Sequence, residues 1–111
     1  MPDNERLVEA FENGRTGLWV SGHGTVSQVL SDEMLGFPRQ RIMVQVTDSL
    51  RVMVQHSMLD SVRVPVERGD VIAFQGRYEF NGNGGNVTLT HSDPEQPGGG
   101  GWIRHAGITY D

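Results

Sequence analysis

Residues 41–56 read RIMVQVTDSLRVMVQH, and this stretch decides the fold class. Apolar and polar residues alternate with a period of two on both sides of Thr47-Asp48-Ser49, a pattern typical of two half-buried strands joined by a tight turn. Successive side chains of a strand point to opposite faces, so alternate residues share one face. The predicted inward face of this pair consists of Ile42, Val44, Val46, Leu50, Val52, Val54 and His56.

The same alternation recurs on both sides of this pair. The predicted strands are residues 18–30, 41–46, 50–56, 71–80 and 87–91, with a final strand pair or covering segment at 102–110. Ser21-Gly22-His23-Gly24 interrupts the first strand, where we expect a bulge or a bend. The glycine-rich residues 81–86 predict a hairpin turn before the fifth strand, whose inward face would carry Val87, Leu89 and His91.

A short helix precedes the strands. Asp3 or Asn4 can cap it, apolar residues follow at helical spacing, and Asn13-Gly14 provides a stop. We therefore expect residues 1–16 to form an N-terminal helix and linker, and residues 17–111 to form one β-barrel domain.

The predicted fold class is all-β, a small closed five-stranded OB-like barrel with a short N-terminal helix. Five strands at this spacing favour closure, which removes unpaired sheet edges. An SH3-like barrel is the competing arrangement. The long bent first strand and the irregular linker at 57–65 favour the oligonucleotide/oligosaccharide-binding (OB) arrangement.

Composition excludes several functional classes. The 111 residues carry a formal charge of −5, with no cysteine, and all nine basic residues are arginine. Disulfides, thiolate metal sites and lysine Schiff-base chemistry are therefore excluded, and the negative charge disfavours general polyanion binding. No run approaches the roughly 18 apolar residues of a membrane span. The sequence as written predicts a cytoplasmic protein, or an exported one if it begins after a removed signal peptide.

Several motifs resemble a small bacterial family, domain of unknown function 3465. They include Arg39-Gln-Arg-Ile42, Val54-Gln-His56, Gly76-Arg-Tyr-Glu-Phe-Asn81, Thr90-His-Ser-Asp-Pro94 and Gly101-Trp-Ile-Arg-His105. The resemblance implies an OB-type barrel, often exported, and no assigned activity. Four positions where the family pattern has histidine carry other residues in this chain, namely Arg39, Thr88, Ser92 and Pro97. These departures weaken the case for a histidine-rich metal centre.

The candidate site follows from the barrel that the resemblance implies. An OB barrel places its third and fifth strands side by side and parallel, so His56 and His91 should meet near one barrel mouth. Asp93 follows two residues later, and His105 can join them past Trp102. His56, His91 and His105 could bind zinc or another divalent ion, or the imidazoles could act as acid and base with Asp93 as orienting group. The structural alternative is a hydrogen-bonded polar plug.

The predicted function is a small OB-like binding module. Its partner would be a small ligand or an oligonucleotide and not a membrane. The ligand-binding candidates are His56, His91, Asp93, His105, Arg41, Trp102 and Tyr110. Two alternatives remain open. One is a hydrolase or nuclease that uses the same His/Asp cluster, and the other is single-stranded nucleic-acid binding on the outward face of the strand pair, where methionines stand in place of aromatic stacking residues.

Overall fold

The computed structural model describes residues 4–111, so Asp3 lies outside the described residues. One helix precedes seven strands. The elements are α1 (Asn4–Glu12), β1 (Leu18–Val29), β2 (Arg39–Gln45), β3 (Arg51–Ser57), β4 (Val71–Glu79), β5 (Asn86–Thr88), β6 (Trp102–His105) and β7 (Ile108–Tyr110), with a 3-10 turn at Pro97–Gly99. The C-terminal segment is therefore a strand pair, one of the two arrangements that the sequence allows.

Five strands close into a mixed barrel. β1 pairs antiparallel with β4 through residues 18–25 and with β2 through residues 25–29. β2 pairs with β3, and β3 runs parallel to β5, with Val54 opposite Val87. β5 returns to β4, which gives the circular order β1-β2-β3-β5-β4. This is the predicted closed OB-like barrel, and β6 and β7 extend it from β4.

The irregularity of β1 lies later than the sequence predicts. Residues 18–25 pair with β4 without a break, so the bulge expected at 21–24 is absent from that pairing. The register shifts instead between Val26 and Gln28, opposite β2. Gly24 serves a different purpose, because a Cβ there would overlap the carbonyl oxygen of Gln45. The glycine lets two backbones approach closely where β1 passes from β4 to β2.

The inward phase of β5 also differs from the prediction. The strand ends at Thr88, and Leu89 adopts φ +55° in the left-handed region. This turn rotates the chain, so that Leu89 points outward and Thr90 is fully buried. The expectation that Leu89 and His91 continue the inward face of Val87 is therefore wrong. The physical reason is that one left-handed residue breaks the alternation of a strand.

The core lies inside the barrel and beneath α1. Phe74 and Tyr78 are its largest buried side chains, surrounded by the valines and isoleucines of the strands, and Leu7 and Ala10 add the apolar face of the helix. The Tyr78 hydroxyl donates to the carbonyl oxygen of Gly84 at 2.8 Å, and burial raises the pKa of Tyr78. The strands and the helix thus share one apolar core.

Asn4 ties the helix to the barrel. Its Nδ2 donates to the carbonyl oxygen of His23 at 3.1 Å, and its Oδ1 accepts the His23 backbone N–H at 2.9 Å. We expect Asn4→Ala to lower the free energy of unfolding by about 1 kcal/mol, measured by urea denaturation. His23→Ala is the control, because it keeps both backbone groups and removes only an exposed side chain. Equal stabilities of the two variants would contradict the bridging role of Asn4.

Candidate functional site

His56 is a fully buried histidine at the end of β3. Its Nδ1 lies 2.7 Å from Thr90 Oγ1, and its Nε2 lies 3.0 Å from Ser61 Oγ. The Thr90 hydroxyl already donates its proton to the Gln55 carbonyl oxygen at 2.9 Å. Thr90 Oγ1 must therefore accept from His56 Nδ1–H, and His56 Nε2 accepts from the Ser61 hydroxyl.

Burial of the ring favours the neutral form of His56. Burial, and to a lesser degree the neighbouring His91, lowers the pKa of His56 from 6.5 to about 4, although backbone hydrogen bonds with Val62 and Thr90 oppose the shift. Both ring nitrogens are occupied, so His56 has none left for a metal ion. The hydrogen bonds instead join β3 to the chain that follows β5.

His91 lies two residues beyond the left-handed turn at Leu89. Its side chain is only 15% exposed, and its Nε2 lies 3.9 Å from Asp60 Oδ2. Its Nδ1 is buried and has no hydrogen-bond partner among residues 4–111. A buried polar atom without a partner is uncommon and costs free energy. His91 is therefore a stronger candidate for ligand contact than the fully bonded His56.

His105 does not join the other two histidines. Its Nε2 lies 2.9 Å from Asp70 Oδ2, and β6 places it opposite Ile72, at the start of β4. β5, which precedes His91, pairs with the other end of β4. Within residues 4–111, no group of three or more His, Cys, Asp or Glu side chains could hold a metal ion. The three-histidine metal set is thus not assembled in this part of the chain.

Asp70 forms a local site with His105. The backbone N–H of Glu67 and the imidazole of His105 both donate toward its carboxylate and lower its pKa. This pair closes the turn before β4 against β6. The contact gives His105 Nε2 a hydrogen-bond partner that joins β6 to the turn before β4.

The remaining predicted residues are distributed over the surface. Asp93 accepts the Glu95 backbone N–H at 3.0 Å, which orders its own loop. The Arg41 side chain donates to the carbonyl oxygen of Ser31 at 2.9 Å. Trp102 lies 4.8 Å below the guanidinium of Arg104, and Tyr110 packs against the core. None of these four lines the cleft in which His91 lies.

That cleft has a volume of about 560 Å³. Its base is the outward surface of β3, β5 and β4, and its rim consists of the chain before β2, the chain after β3 and the turn after β5. Apolar side chains on the rim are Phe37, Leu59 and Leu89. Sequence reasoning missed this cleft, because its residues come from four separate segments of the chain. The available signal was the outward phase of Gln55, Arg77 and Glu79 on their strands.

The charged groups of the cleft are mostly paired. Arg77 Nη1 lies 3.0 Å from Glu79 Oε2, and Asp60 Oδ2 accepts the Ser57 hydroxyl at 2.8 Å. The guanidinium of Arg39 lies 5.4 Å from the centre of the Phe37 ring. The cleft therefore combines apolar surface with a few fixed polar groups, the usual composition of a small-molecule site.

A second cleft of about 600 Å³ lies at the other end of β3, between α1 and the two turns at 47–50 and 82–84. Its lining includes Phe11, Met43 and Arg51. None of its residues belongs to the predicted histidine and aspartate cluster.

The fold and the site together define a small OB-like barrel domain with a mixed apolar and polar surface cleft. The chain belongs to the family described as Protein of unknown function (DUF3465), whose family model matches residues 1–111. The resemblance inferred from the sequence motifs is thereby confirmed. No curated protein and no solved structure matches the chain. No helix within residues 4–111 is long and apolar enough to cross a membrane.

Proposed function

We propose that this protein is a small-molecule-binding module whose ligand lies in the cleft beside His91. The observation that carries the proposal is that His91, whose buried Nδ1 has no hydrogen-bond partner in the described residues 4–111, lines a cleft of about 560 Å³. This volume falls within the range of roughly 300–1,000 Å³ that is common for ligand sites.

The position of the cleft supports a binding role. Hydrogen-bonded strands form its base, and the His56 network joins β3 to Thr90 directly beneath the rim. A site on a rigid sheet loses little conformational entropy when a ligand binds. The rim side chains are exposed leucine and phenylalanine, which can cover the apolar part of a ligand.

Filling the cleft with a large side chain tests the proposal. Thr88 lies in the cleft on β5, so we expect Thr88→Trp to weaken ligand binding at least about tenfold by occupying the site. The measurement is a ¹⁵N-correlation NMR screen with a library of neutral and charged fragments, followed by titration of the fragments that bind. In the unmodified protein, we expect shifts to cluster at the amides of Leu59, Leu89 and His91.

Thr25→Trp is the matched control, because Thr25 is an exposed strand threonine outside the cleft. It should bind the same fragments with unchanged affinity. The proposal fails if no fragment binds, if the shifts cluster at other surfaces, or if Thr88→Trp and Thr25→Trp behave alike.

A hydrolase is the second candidate, and the distance of 3.9 Å between His91 Nε2 and Asp60 Oδ2 supports it. A carboxylate beside an imidazole can orient the ring for proton transfer. Single-stranded nucleic-acid binding is the third, supported by the outward register of β2 and β3, in which Met43 lies opposite Met53 and Gln45 opposite Arg51. Turnover of ester or phosphodiester substrates by the unmodified protein, abolished in His91→Asn, would replace the binding proposal by the hydrolase. Salt-dependent oligonucleotide binding that Arg51→Gln weakens would replace it by the nucleic-acid role.

A further inference from the structure

We propose that the ligand of the cleft is a small organic acid, whose carboxylate pairs with Arg39 and whose apolar body covers Phe37, Leu59 and Leu89. This inference rests on the proposed function and adds the chemical class of the ligand. It follows from two independent features of the cleft, the pairing of its charges and the exposure of its apolar rim.

Arg39 is the cation of the cleft for which residues 4–111 provide no carboxylate within ion-pair distance. The other arginine of the cleft, Arg77, forms an ion pair with Glu79. Within residues 4–111, no Asp or Glu oxygen lies within 4.0 Å of the Arg39 guanidinium. In the part of the chain that the structure describes, its Nη1 makes two long contacts, at 3.4 Å to the Leu35 carbonyl oxygen and at 3.5 Å to that of Phe37. Most of its donors therefore remain available.

Glu33, an acidic residue outside the cleft, compensates the positive charge of Arg39 only in part. Glu33 has a lowered pKa, mainly because its carboxylate accepts the Leu35 backbone N–H, and the positive charges of Arg39 and Arg41 lower it further. The Glu33 carboxylate is thus used by its own loop. A guanidinium with free donors is well suited to bind a carboxylate through two parallel hydrogen bonds.

The apolar rim defines the other half of the ligand. Leu59 is 70% exposed, Phe37 is 48% exposed and Leu89 is 36% exposed, and all three line the same cleft as Arg39. Covering such side chains with an apolar ligand removes them from water, which is favourable by about 25 cal/mol per Å². The ligand therefore needs an apolar body next to its anionic group.

Leu89 adds an argument from backbone strain. Its φ of +55° is unusual for a residue other than glycine, asparagine or aspartate. The consequence of this conformation is that a leucine faces the cleft while Thr90 turns inward to His56. Strained residues of this kind tend to occur at ligand sites.

Benzoate and benzamide are the test probes, because they share a ring and differ in charge. We expect benzoate to shift the amide resonances of Leu59, Leu89 and His91, and to bind more tightly than benzamide. Arg39→Gln should weaken benzoate binding about tenfold and benzamide binding by a clearly smaller factor, because benzamide loses only a neutral hydrogen bond. Arg39→Lys keeps the charge but lacks the planar guanidinium, so its affinity for benzoate should lie between those of the unmodified protein and Arg39→Gln. Arg68→Gln is the matched control, since Arg68 is exposed and outside the cleft.

The same carboxylate can come from a free acid or from the C-terminus of a peptide. Acetyl-Gly-Gly-Phe as a free acid and as its amide distinguishes the two sources. Tighter binding of this peptide acid than of benzoate would identify a peptide terminus, and tighter binding of benzoate would identify a free acid. Tighter binding of benzoate, lost in Arg39→Gln, supports the proposal of a small organic acid, whereas tighter binding of the peptide acid would overturn it in favour of a peptide terminus.

The proposal and the function on which it rests fail in different ways. If neutral fragments bind in the cleft while benzoate does not, or if Arg39→Gln leaves benzoate affinity unchanged, the organic-acid inference is wrong and the binding module remains. If neither benzoate nor any fragment of the library binds there, both are wrong. A ¹⁵N-correlation spectrum that matches that of the unmodified protein outside the cleft shows that the Arg39→Gln variant keeps its fold.

Discussion

Replacing Gly84 by alanine is expected to lower the free energy of unfolding by about 3 kcal/mol or more. The expected loss combines backbone strain with a steric overlap. Gly84 has φ +113°, a conformation that alanine adopts only with strain. A Cβ at this position would also overlap the carbonyl oxygen of Arg51, which belongs to the backbone and cannot rotate away. The turn between β4 and β5 would have to move off the start of β3.

Movement of this turn would also disturb the core. The carbonyl oxygen of Gly84 accepts the hydroxyl proton of the buried Tyr78, so a displaced turn leaves a buried donor unpaired. Urea denaturation of Gly84→Ala measures the total effect, and the Tyr78 environment can be followed by near-ultraviolet circular dichroism.

Alanine substitutions at two other glycines distinguish the cost of backbone strain from the cost of steric overlap. Gly36 has φ +77°, but no atom of residues 4–111 lies within 4 Å of the position that a Cβ would occupy, so Gly36→Ala should cost about 1 kcal/mol from backbone strain alone. Gly82 has neither a left-handed φ nor a close neighbour, and Gly82→Ala should be nearly neutral. If Gly84→Ala is as stable as Gly82→Ala, the turn at Gly84 does not lie as close to the backbone of Arg51 as described above.

Acidification is expected to weaken the fold through His56. The pKa of His56 falls from 6.5 to about 4 on folding, chiefly because the ring is buried. Between these two pH values the unfolded chain binds a proton that the folded protein does not bind, so stability decreases as the pH falls. At about 1.36 kcal/mol per pKa unit, the loss reaches about 3 kcal/mol at pH 4 and levels off below it.

His56→Gln isolates this effect from the titration of carboxylates such as Asp70. Glutamine can keep one donor and one acceptor for Thr90 and Ser61 but does not ionise in this range. The measurement is urea denaturation of both proteins from pH 8 to pH 4. The stability of the unmodified protein relative to His56→Gln should fall between pH 6.5 and 4. A difference that is constant over this interval would show that His56 is not held neutral in the folded protein.

His56 differs in its hydrogen bonding from the candidate binding residues of the cleft. The hydrogen bonds of His56 are complete, which suits a structural role. Among residues 4–111, no group bonds to His91 Nδ1, and most of the Arg39 guanidinium donors have no acceptor. His56 is thus held by hydrogen bonds within the protein, whereas the proposed ligand site rests on His91 and Arg39.

The barrel is accessible from sequence because its signal is local. The alternation in residues 41–56 places Val44 and Val52 inside, and the structure pairs them directly. Alternation in Val71–Glu79 likewise buries Ile72, Phe74 and Tyr78. The same alternation predicts that His56 points inward, and it is fully buried. A period of two depends only on neighbouring residues, so it can be read along one chain.

The cleft and the partners of the histidines are decided by tertiary structure. Leu89 carries no sequence signal for a left-handed φ, yet its conformation ends β5 and turns His91 away from the inward face. His105 meets Asp70 because β6 adds to the open side of β4, a pairing between residues far apart in the chain. Arg39, Leu59 and His91 share one cleft only after the barrel closes. Local periodicity determines which face of a strand is buried, whereas contacts between distant segments determine which exposed side chains become neighbours.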